Sequence, residues 1–443
     1  TIVWTTAFLI AAWIHISRLL IPRPIPGIPY NRLSSLMPWG ELVTLGLYNF
    51  STGEVFSWLS LQCLKYQSPV IQLFIPSFSN THPVVIISDL REVEDIVTKR
   101  GNEIDRAPLM HDFFGLLVPN ATIGMGTNDR FKKQRRLWNS ILSPTFLDSI
   151  AAPAIHDTTI KLADLWQRKA KLAEGAAFAF GNDIKMATLD AIWRMAVGTD
   201  LGLLGASVEC LNRAPMRHSP SKVQFAGPHL PDFYQALSTL LACLDWVMQG
   251  ISPRMYTWIF RHSPWFLRAE KLKNDVLDRE ISTARSRRLN GSMRSDAVCA
   301  LDQVLRQEEA LGKTSGDAAG DEALRDELME LLITGHETTA SSICWAIKYI
   351  TDHPTVQDKL RMSLYAAFPC SSPDTIPSSK ELTTTSLPYL DAVIAETLRY
   401  SRTGPVSFRH AVTDCFILGH RIPAGTPIIL VTDGPYNTSA TRP

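Results

Sequence analysis

Apolar positions group into long helical runs, and the most informative run lies between residues 331 and 350. The run Leu331–Ile350 has the composition of a buried helix, except at Thr334–Thr339, where a glycine, an acid and hydroxyl side chains interrupt it. A glycine inside a helix costs about 1 kcal/mol relative to alanine, and a buried carboxylate needs hydrogen-bonding partners. Such a local departure is typical of a functional site.

Three interpretations compete for this hexamer. His336 could open a His-Glu-x-x-His zinc helix, but Ala340 stands where the second histidine belongs, so this interpretation fails. Gly335 could instead permit close helix packing, while Thr338 or Thr339 bonds to a carbonyl one turn earlier. In the third interpretation, the glycine, acid and alcohol form a groove for a small ligand and ordered water, with a proton path beside them. Such a helix would cross a cofactor.

The pattern elsewhere predicts mostly helices and a few short strands. The β-branched runs Val70–Ile75 and Val84–Ser88 predict a hairpin, and a helix capped by its first residue is expected over Asp89–Lys99. Helical spacing continues through Leu211 and resumes over Tyr234–Arg288, where the Trp, Phe and Met residues are interpreted as core.

Later segments add a basic helix start, a loop and a second strand region. Phe131–Arg136 is a basic helix start, and Gly312–Gly320 reads as an exposed loop before the central helix. Strand-like runs cover Val406–Val412 and Phe416–Leu418, and a turn and a short strand follow over Gly419–Leu430. The fold class expected from this order is mainly α with a small β-sheet region.

The helix over Leu387–Arg399 carries an acid and a base on one face. Glu396 and Arg399 are three residues apart and are therefore neighbours on the helix surface. Taken alone, such a pair is most simply a surface salt bridge.

The N-terminal part divides into an apolar stretch and a proline-rich stretch. Ile2–Ile21 has about the length that spans a bilayer, and Arg18 and Arg23 favour a cytosolic position for the rest, so residues 1–21 are interpreted as an uncleaved anchor. A secretory signal peptide is the alternative. Residues 22–30 contain four prolines and are expected to form a stiff hinge before a catalytic domain over 31–443.

Composition and charge exclude several classes of function. The chain of 443 residues is 45% hydrophobic and 20% charged, which is globular composition. Its net charge of +1 gives no sign of nucleic-acid binding or of a polyanionic substrate. The seven cysteines are scattered without a Cys-x-x-Cys pair, so they are interpreted as reduced, cytosol-facing thiols.

These features in this order resemble the cytochrome P450 superfamily of haem-thiolate monooxygenases, and its fungal membrane-anchored members in particular. The resemblance rests on the anchor and proline stretch, the basic helix at Phe131–Arg136 and the Gly-x-Glu-Thr-Thr beginning at Gly335. It also rests on Glu396-x-x-Arg399 and on Ile422-Pro-Ala-Gly-Thr426. The resemblance covers nearly the whole chain and implies a P450-like fold that encloses haem between the central helix and a later loop.

The resemblance assigns roles to residues of the central helix. Glu337 and Thr338 match the acid–alcohol pair that supplies protons during oxygen activation. Gly335 would leave space for dioxygen at the cofactor, and Thr334 stands where the family more often has alanine or glycine.

Further roles concern the haem propionates and the proximal core. Arg135 matches the arginine of the basic helix that pairs with a propionate, although Phe131 stands where tryptophan is usual. Arg409 occupies a strand position from which a second basic residue reaches a propionate. Glu396 and Arg399 match the buried pair that holds the proximal core.

The end of the sequence departs from the family pattern. No cysteine of the seven follows a Phe-x-x-Gly sequence, and the glycine-rich loop with the thiolate cysteine is expected after Leu430, where it is not found. Cys415 is interpreted as a small core residue. The expectation is therefore a fold that is incomplete at the C-terminus, with the metal ligand missing. The chain is then either a fragment of an active enzyme or a haem-free, membrane-anchored remnant that acts as an interaction surface.

For an enzyme of this family, the resemblance implies insertion of one oxygen atom into an apolar small molecule, with a link to fungal secondary metabolism. Electrons would come from NADPH through an NADPH–cytochrome reductase. The expected location is the endoplasmic reticulum membrane, with a single span and the catalytic body on the cytosolic side.

Overall fold

The chain folds into many helices around a small mixed sheet. The computed structural model describes Trp4 and residues 22–76, 82–213, 217–219, 222–250, 252–289, 298–311, 318–369 and 375–432. Within these ranges the helices are α1 (Leu42–Thr52), α2 (Phe56–Tyr66), α3 (Leu90–Lys99), α4 (Leu109–Phe114), α5 (Asp129–Trp138), α6 (Pro144–Phe146), α7 (Ala152–Ala173), α8 (Gly181–Val197), α9 (Leu203–Arg213), α10 (Asp232–Gln249), α11 (Pro253–Arg261), α12 (Pro264–Leu289), α13 (Ala300–Ala310), α14 (Ala318–Asp352), α15 (Pro354–Ala367), α16 (Ser379–Thr384) and α17 (Pro388–Ser401).

The strands form one five-stranded sheet and two smaller ones. They are β1 (Val70–Leu73), β2 (Val84–Ile87), β3 (Ile104–Arg106), β4 (Ala177–Phe178), β5 (Arg217–Ser219), β6 (Lys222–Gln224), β7 (Val406–Ala411), β8 (Cys415–Ile417), β9 (His420–Ile422) and β10 (Pro427–Val431). The large sheet has the order β1-β2-β10-β7-β3, in which only β2 and β10 run parallel. The fold is thus mainly α with a small sheet region, as predicted.

The predicted hairpin is confirmed, and its β-branched runs have a physical reason. β1 and β2 pair antiparallel, with Val70 opposite Ile87. Every residue of both strands is buried, because Ile86 faces the large helical core while Val85 faces a second, smaller apolar cluster. A sheet covered on both faces selects continuous apolar runs instead of alternation.

Helix boundaries follow local capping. The Asp89 side chain accepts a hydrogen bond from the Glu92 N–H at the start of α3, as predicted. The basic helix begins two residues earlier than the predicted Phe131, because Asn128 caps it. The predicted loop Gly312–Gly320 was too long, since α14 already begins at Ala318, and residues 312–317 lie outside the described ranges.

The proline-rich segment is part of the folded body. It forms neither helix nor strand, but Ile25 and Ile28 are buried in the smaller apolar cluster. Gln72 of β1 accepts from the Ile25 N–H and donates to the carbonyls of both isoleucines. The segment is therefore docked on the sheet and does not form a free hinge.

The predicted anchor lies outside the described residues, apart from Trp4. Within the described ranges, no helix combines the length and the hydropathy needed to cross a membrane.

Candidate functional site

A cavity of about 610 Å³ lies beside β7, between the N-terminal half of α14 and the helices α4 and α5. We call it the arginine cavity. Much of its wall is apolar, which suits an organic ligand. The apolar side chains in the wall are Phe56, Met110, Phe113, Phe114, Phe131, Met248, Pro405, Val406 and Phe408.

Three arginines line one side of this cavity: Arg106 from β3, Arg135 from α5 and Arg409 from β7. Arg106 and Arg409 are directly opposite each other in the antiparallel pairing of β3 with β7. Burial, together with the charge of Arg106, lowers the pKa of Arg409. Among the described residues, the Arg409 guanidinium donates to the Phe408 carbonyl (3.2 Å) and forms no ion pair, and the charge of Asp105 only partly offsets the lowering of its pKa. Like charges opposite each other in a sheet are unfavourable, so this arrangement favours an anionic ligand.

Arg106 is the functional candidate that the sequence pattern did not identify. Its guanidinium lies 5.1 Å from the centre of the Phe131 ring and donates to the carbonyls of Thr122 (2.9 Å) and Ile123 (3.3 Å). Phe131 itself lines the cavity, at the position predicted to replace a tryptophan. The only signal available was a basic residue at the end of a short strand.

One face of α14 carries a row of hydroxyl groups. Thr338 donates to the Thr334 carbonyl (2.7 Å), and Thr334 donates to the Glu330 carbonyl (2.8 Å). Ser342 lies one turn further and is 2.9 Å from the Thr403 hydroxyl. Glu330 and Thr403 line the cavity, whereas Thr334, Thr338 and Ser342 share the helix face of Glu330 without being part of the cavity wall. Thr338 thus makes the backbone contact expected from its sequence.

Glu337 lies on a different face of α14, toward α8. Its carboxylate forms an ion pair with Lys185 at 3.3 Å and lies 3.5 Å from Nε2 of the buried His336. The hydrogen bond with His336 and the charge of Lys185 hold the pKa of Glu337 below its usual value, against the effect of burial. Glu337 is therefore ionised at neutral pH and partly accessible to solvent.

Gly335 has a packing role. A Cβ placed on it would lie 2.7 Å from the side chain of Ile192 on α8, so only a glycine allows the two helices to approach this closely. Gly335 is not among the residues that line the arginine cavity, and its predicted place beside a cofactor stays a prediction. The close-packing interpretation explains this residue.

Glu396 and Arg399 form the predicted pair on α17, with N–O distances of 2.7 and 2.8 Å. Both side chains are exposed, at 58% and 40% respectively. The guanidinium also stacks 4.1 Å from the centre of the Tyr400 ring. In this structure the pair is a surface salt bridge, as its spacing alone predicted, and not a buried pair.

No cysteine lines the arginine cavity in the described part of the chain. Cys415 is buried in the smaller apolar cluster, on the face of the sheet opposite the large helical core. Burial raises the pKa of its thiol, which is consistent with its interpretation as a core residue.

Comparison with known proteins identifies the family. The sequence profile of the cytochrome P450 family matches residues 65–436. A cytochrome P450 monooxygenase of Pestalotiopsis microspora is 32% identical over 453 residues, which cover 100% of this chain and 78% of that protein. One of Penicillium rubens is 30% identical over 94% of this chain and 73% of its own length.

The fold comparison agrees with the sequence comparison. The crystal structure of a cytochrome P450 haem domain superposes with a TM-score of 0.66 at 17% identity, covering 93% of this chain and 77% of that one. At this identity the superposition supports the fold alone. Together with the sequence matches, it establishes that the chain belongs to the cytochrome P450 family.

Proposed function

We propose that this chain binds haem in the arginine cavity and belongs to a monooxygenase that adds one oxygen atom from O2 to an apolar small molecule. The observation that carries the proposal is the convergence of Arg106, Arg135 and Arg409 on a cavity with an aromatic lining. When bound, haem supplies the oxygen chemistry, with electrons from NADPH through a reductase. The relatives from filamentous fungi favour a substrate from secondary metabolism.

The residues present fit the propionate side of haem. Guanidinium groups pair with carboxylates in a bidentate geometry. Arg409 forms no ion pair among the described residues, and Arg135 projects from the neighbouring helix into the same cavity. These two arginines would hold the propionates, while Arg106 is already engaged by the loop carbonyls.

A haem titration of the full chain tests this proposal. We expect the double variant Arg135→Ala/Arg409→Ala to bind haem at least about tenfold more weakly, because two charge-assisted contacts are lost. Arg136→Ala is the matched control, since Arg136 lies on the same helix outside the cavity wall. Equal affinities of the wild type and the double variant would refute the assignment.

A second candidate function is a haem-free remnant that acts through its surface. It is favoured by one observation, namely that no cysteine lines the arginine cavity in the described ranges. The absorption spectrum of the reduced, CO-treated protein separates the two candidates. We expect no thiolate-type band from residues 1–443 as given, and such a band would identify one of the seven cysteines as the iron ligand. No haem binding at all would favour the remnant.

For the monooxygenase, we propose that Glu337 takes up protons from solvent on the side of α14 that faces α8. Thr338 then passes protons on toward the cavity. Support comes from the partial solvent access of the Glu337 carboxylate, which can take up a proton and pass it on, and from the position of Thr338 two turns beyond the cavity residue Glu330. In a protein with its thiolate ligand in place, Thr338→Ala is expected to leave haem binding intact while diverting NADPH to peroxide. Thr339→Ala is the control, because Thr339 lies outside the row of hydroxyl groups that contains Thr338. Unchanged coupling in Thr338→Ala would contradict this role.

We further propose that the catalytic body lies on the cytosolic face of the endoplasmic reticulum membrane. Exposed apolar side chains on α1 and around α11 flank a second cavity of about 500 Å³ that shares Phe113 and Met248 with the arginine cavity. Phe50, Trp246 and Trp258 are 93%, 62% and 64% exposed. Trp265 is also exposed, so the prediction that the tryptophans of Tyr234–Arg288 are core was wrong for all three. Aromatic residues of this kind are typical of membrane interfaces.

Brominated lipid vesicles test the membrane proposal, since they quench tryptophan fluorescence on insertion. We expect Trp258→Phe to reduce the quenching of the full chain. Trp345→Phe is the control, because Trp345 lies on α14 and lines neither cavity. Equal quenching in both variants would contradict the proposed orientation.

A further inference from the structure

The loop 119–124, between α4 and α5, forms part of the wall of the arginine cavity through Thr122. Three carboxylates of α14 accept hydrogen bonds from its backbone. Asp326 accepts from the Asn120 N–H (2.9 Å), Glu327 from the Thr122 N–H (2.8 Å) and Glu330 from the Ile123 N–H (2.9 Å). A short segment is thus fixed by three acids of one helix.

Basic and amide groups hold the same loop from other elements. On the carbonyl side, Arg106 of β3 donates to Thr122 and Ile123, and Gln134 of α5 donates to Asn120 (2.7 Å). The remaining charges close to the three acids are Arg135 of α5, Lys273 of α12 and Arg325 of α14.

The Thr122 hydroxyl lies between two carboxyl groups. Its oxygen is 3.3 Å from Oε2 of Glu327 and 3.4 Å from Oε2 of Glu330. Glu327 and Thr122 are both buried. One hydroxyl has a single proton and cannot form a full hydrogen bond with each of two carboxylates, so both contacts are strong only if one carboxyl group carries a proton. Two ionised carboxylates at this site would also repel each other.

The hydrogen-bond pattern indicates which oxygen carries this proton. Oε1 of Glu327 accepts from the Thr122 N–H and from Nε2 of Gln134 (3.0 Å), so it faces donors only. Oε2 of Glu327 faces the Thr122 hydroxyl and is free to donate to it. The hydroxyl can then donate to Glu330.

We propose that Glu327, Thr122 and Glu330 share one proton and thereby form a latch that fixes loop 119–124 as a wall of the substrate cavity, with Glu327 as its positioning residue. The role in shaping a substrate cavity rests on the proposed function, whereas the latch itself does not depend on haem. When both carboxyl groups ionise, their repulsion removes one of the contacts that hold the loop, and the wall loosens.

Burial is consistent with this reading. Loss of solvation and the charge of the nearby Glu330 together raise the pKa of Glu327 to about 8, against the hydrogen bonds from Thr122 and the charge of Arg135. Burial also raises the pKa of Glu330, against the Ile123 N–H and the charges of Arg106 and Arg135. The latch is therefore expected to be closed at neutral pH and to open as the pH rises through about 8.

Hydrogen–deuterium exchange of the full chain, without haem, tests the latch. The protection of the Thr122 and Ile123 amides is measured from pH 6 to pH 9 and corrected for intrinsic exchange. In the wild type we expect protection to fall by up to about tenfold per pH unit as the pH rises from 6 toward 8, because the closed latch binds one more proton than the open one in this range, and to level off above pH 8. In Glu327→Gln the amide replaces the protonated carboxyl, so protection should persist with no step.

Two further variants serve as controls for this comparison. Glu327→Ala removes the acceptor and should lose protection at every pH, whereas Glu322→Gln changes an exposed acid of the same helix and should keep the wild-type profile. A merely structural role of Glu327 predicts no step in the wild type, or the same step in Glu327→Gln, and either result would overturn the proposal. Because no haem is present, failure of the proposed function would leave this readout unchanged.

Discussion

The N-terminal half of α14 and the helix α17 form similar ionic contacts in very different surroundings. In that half of α14, Asp326 and Glu327 are buried, and their oxygens accept hydrogen bonds at 2.8 to 3.1 Å from backbone and side-chain groups. On α17, which packs against α14, Glu396 and Arg399 pair at equally short distances but in solvent. The distances alone therefore do not show which of these contacts contributes more to stability.

The two kinds of contact differ in what remains after one partner is removed. A buried acid that is removed leaves N–H groups without an acceptor and without water, whereas an exposed pair that is broken returns to water. The N-terminal half of α14 is thus expected to determine both stability and cavity shape. The exposed pair on α17 is expected to have little influence on stability or on the shape of the cavity.

The largest expected effect is that of Asp326→Ala. Asp326 accepts from the Asn120 N–H, and its negative charge acts on Lys273, which is 2% exposed, more strongly than that of Glu270 or Asp278. Removing it leaves a buried ammonium group poorly compensated, and we expect the free energy of unfolding to fall by about 3–5 kcal/mol. Urea denaturation at pH 7 measures this change.

A double variant separates charge from packing. Lys273→Met in the Asp326→Ala background removes the uncompensated charge and should recover part of the lost stability. Equal stability of the single and double variants would show that the Asp326–Lys273 interaction is not the cause.

An intermediate effect is expected at Gly335, where the buried half of α14 meets α8. In Gly335→Ala, the new Cβ meets Ile192, and the cost of overpacking outweighs the gain in helix propensity, for a net loss of about 1–2 kcal/mol. Thermal or urea unfolding measures the loss. The added variant Ile192→Ala should lessen the penalty of the Gly335 substitution.

Gly205 provides the matched control for this glycine. It lies in α9, and a Cβ placed there would meet no atom within 4 Å. Gly205→Ala should therefore be neutral or slightly stabilising. If Gly335→Ala behaved in the same way, the packing role of Gly335 would be wrong.

Local features were predictable from the sequence where neighbours along the chain decide the structure. The Asp89 cap, the hairpin of β1 and β2 and the central helix all follow from short-range patterns. The exposed state of Glu396 and Arg399 also agrees with the spacing argument alone, whereas the family resemblance predicted burial.

The rest of the site depends on distant partners. Arg106 becomes important because it pairs in register with Arg409, about three hundred positions later, and no local pattern shows this pairing. Asp326 and Glu327 look like an ordinary acidic stretch of helix, because the loop N–H groups that they accept from are about two hundred positions earlier. The packing role of Gly335 was one of two open interpretations until Ile192 was located.

A smaller effect on stability is expected when a change of pH titrates Glu327 in the buried N-terminal half of α14. The pKa of Glu327 is raised to about 8, above its value of 4.5 in the unfolded chain, so the folded state binds more protons between these values. Stability contributed by this proton is therefore lost as the pH rises toward 8. From pH 7 to pH 8 we expect the free energy of unfolding to fall by about 1 kcal/mol in the wild type.

Glu327→Gln should remove this slope, because an amide does not titrate in this range. Urea denaturation at the two pH values measures the slope in both proteins. Identical slopes would show that another group, such as Glu41 with a pKa raised by burial to about 7, accounts for the pH dependence.

The smallest effect is expected at the exposed pair of α17. The hydrogen bond with Arg399 holds the pKa of Glu396 below its usual value, but both groups are solvated and exposed pairs contribute little. Glu396→Ala should leave the midpoint of urea denaturation unchanged within error, and high salt should not alter that result. A midpoint shift as large as that of Gly335→Ala would mean that the pair is covered in solution. The contrast between the N-terminal half of α14 and α17 would then not hold.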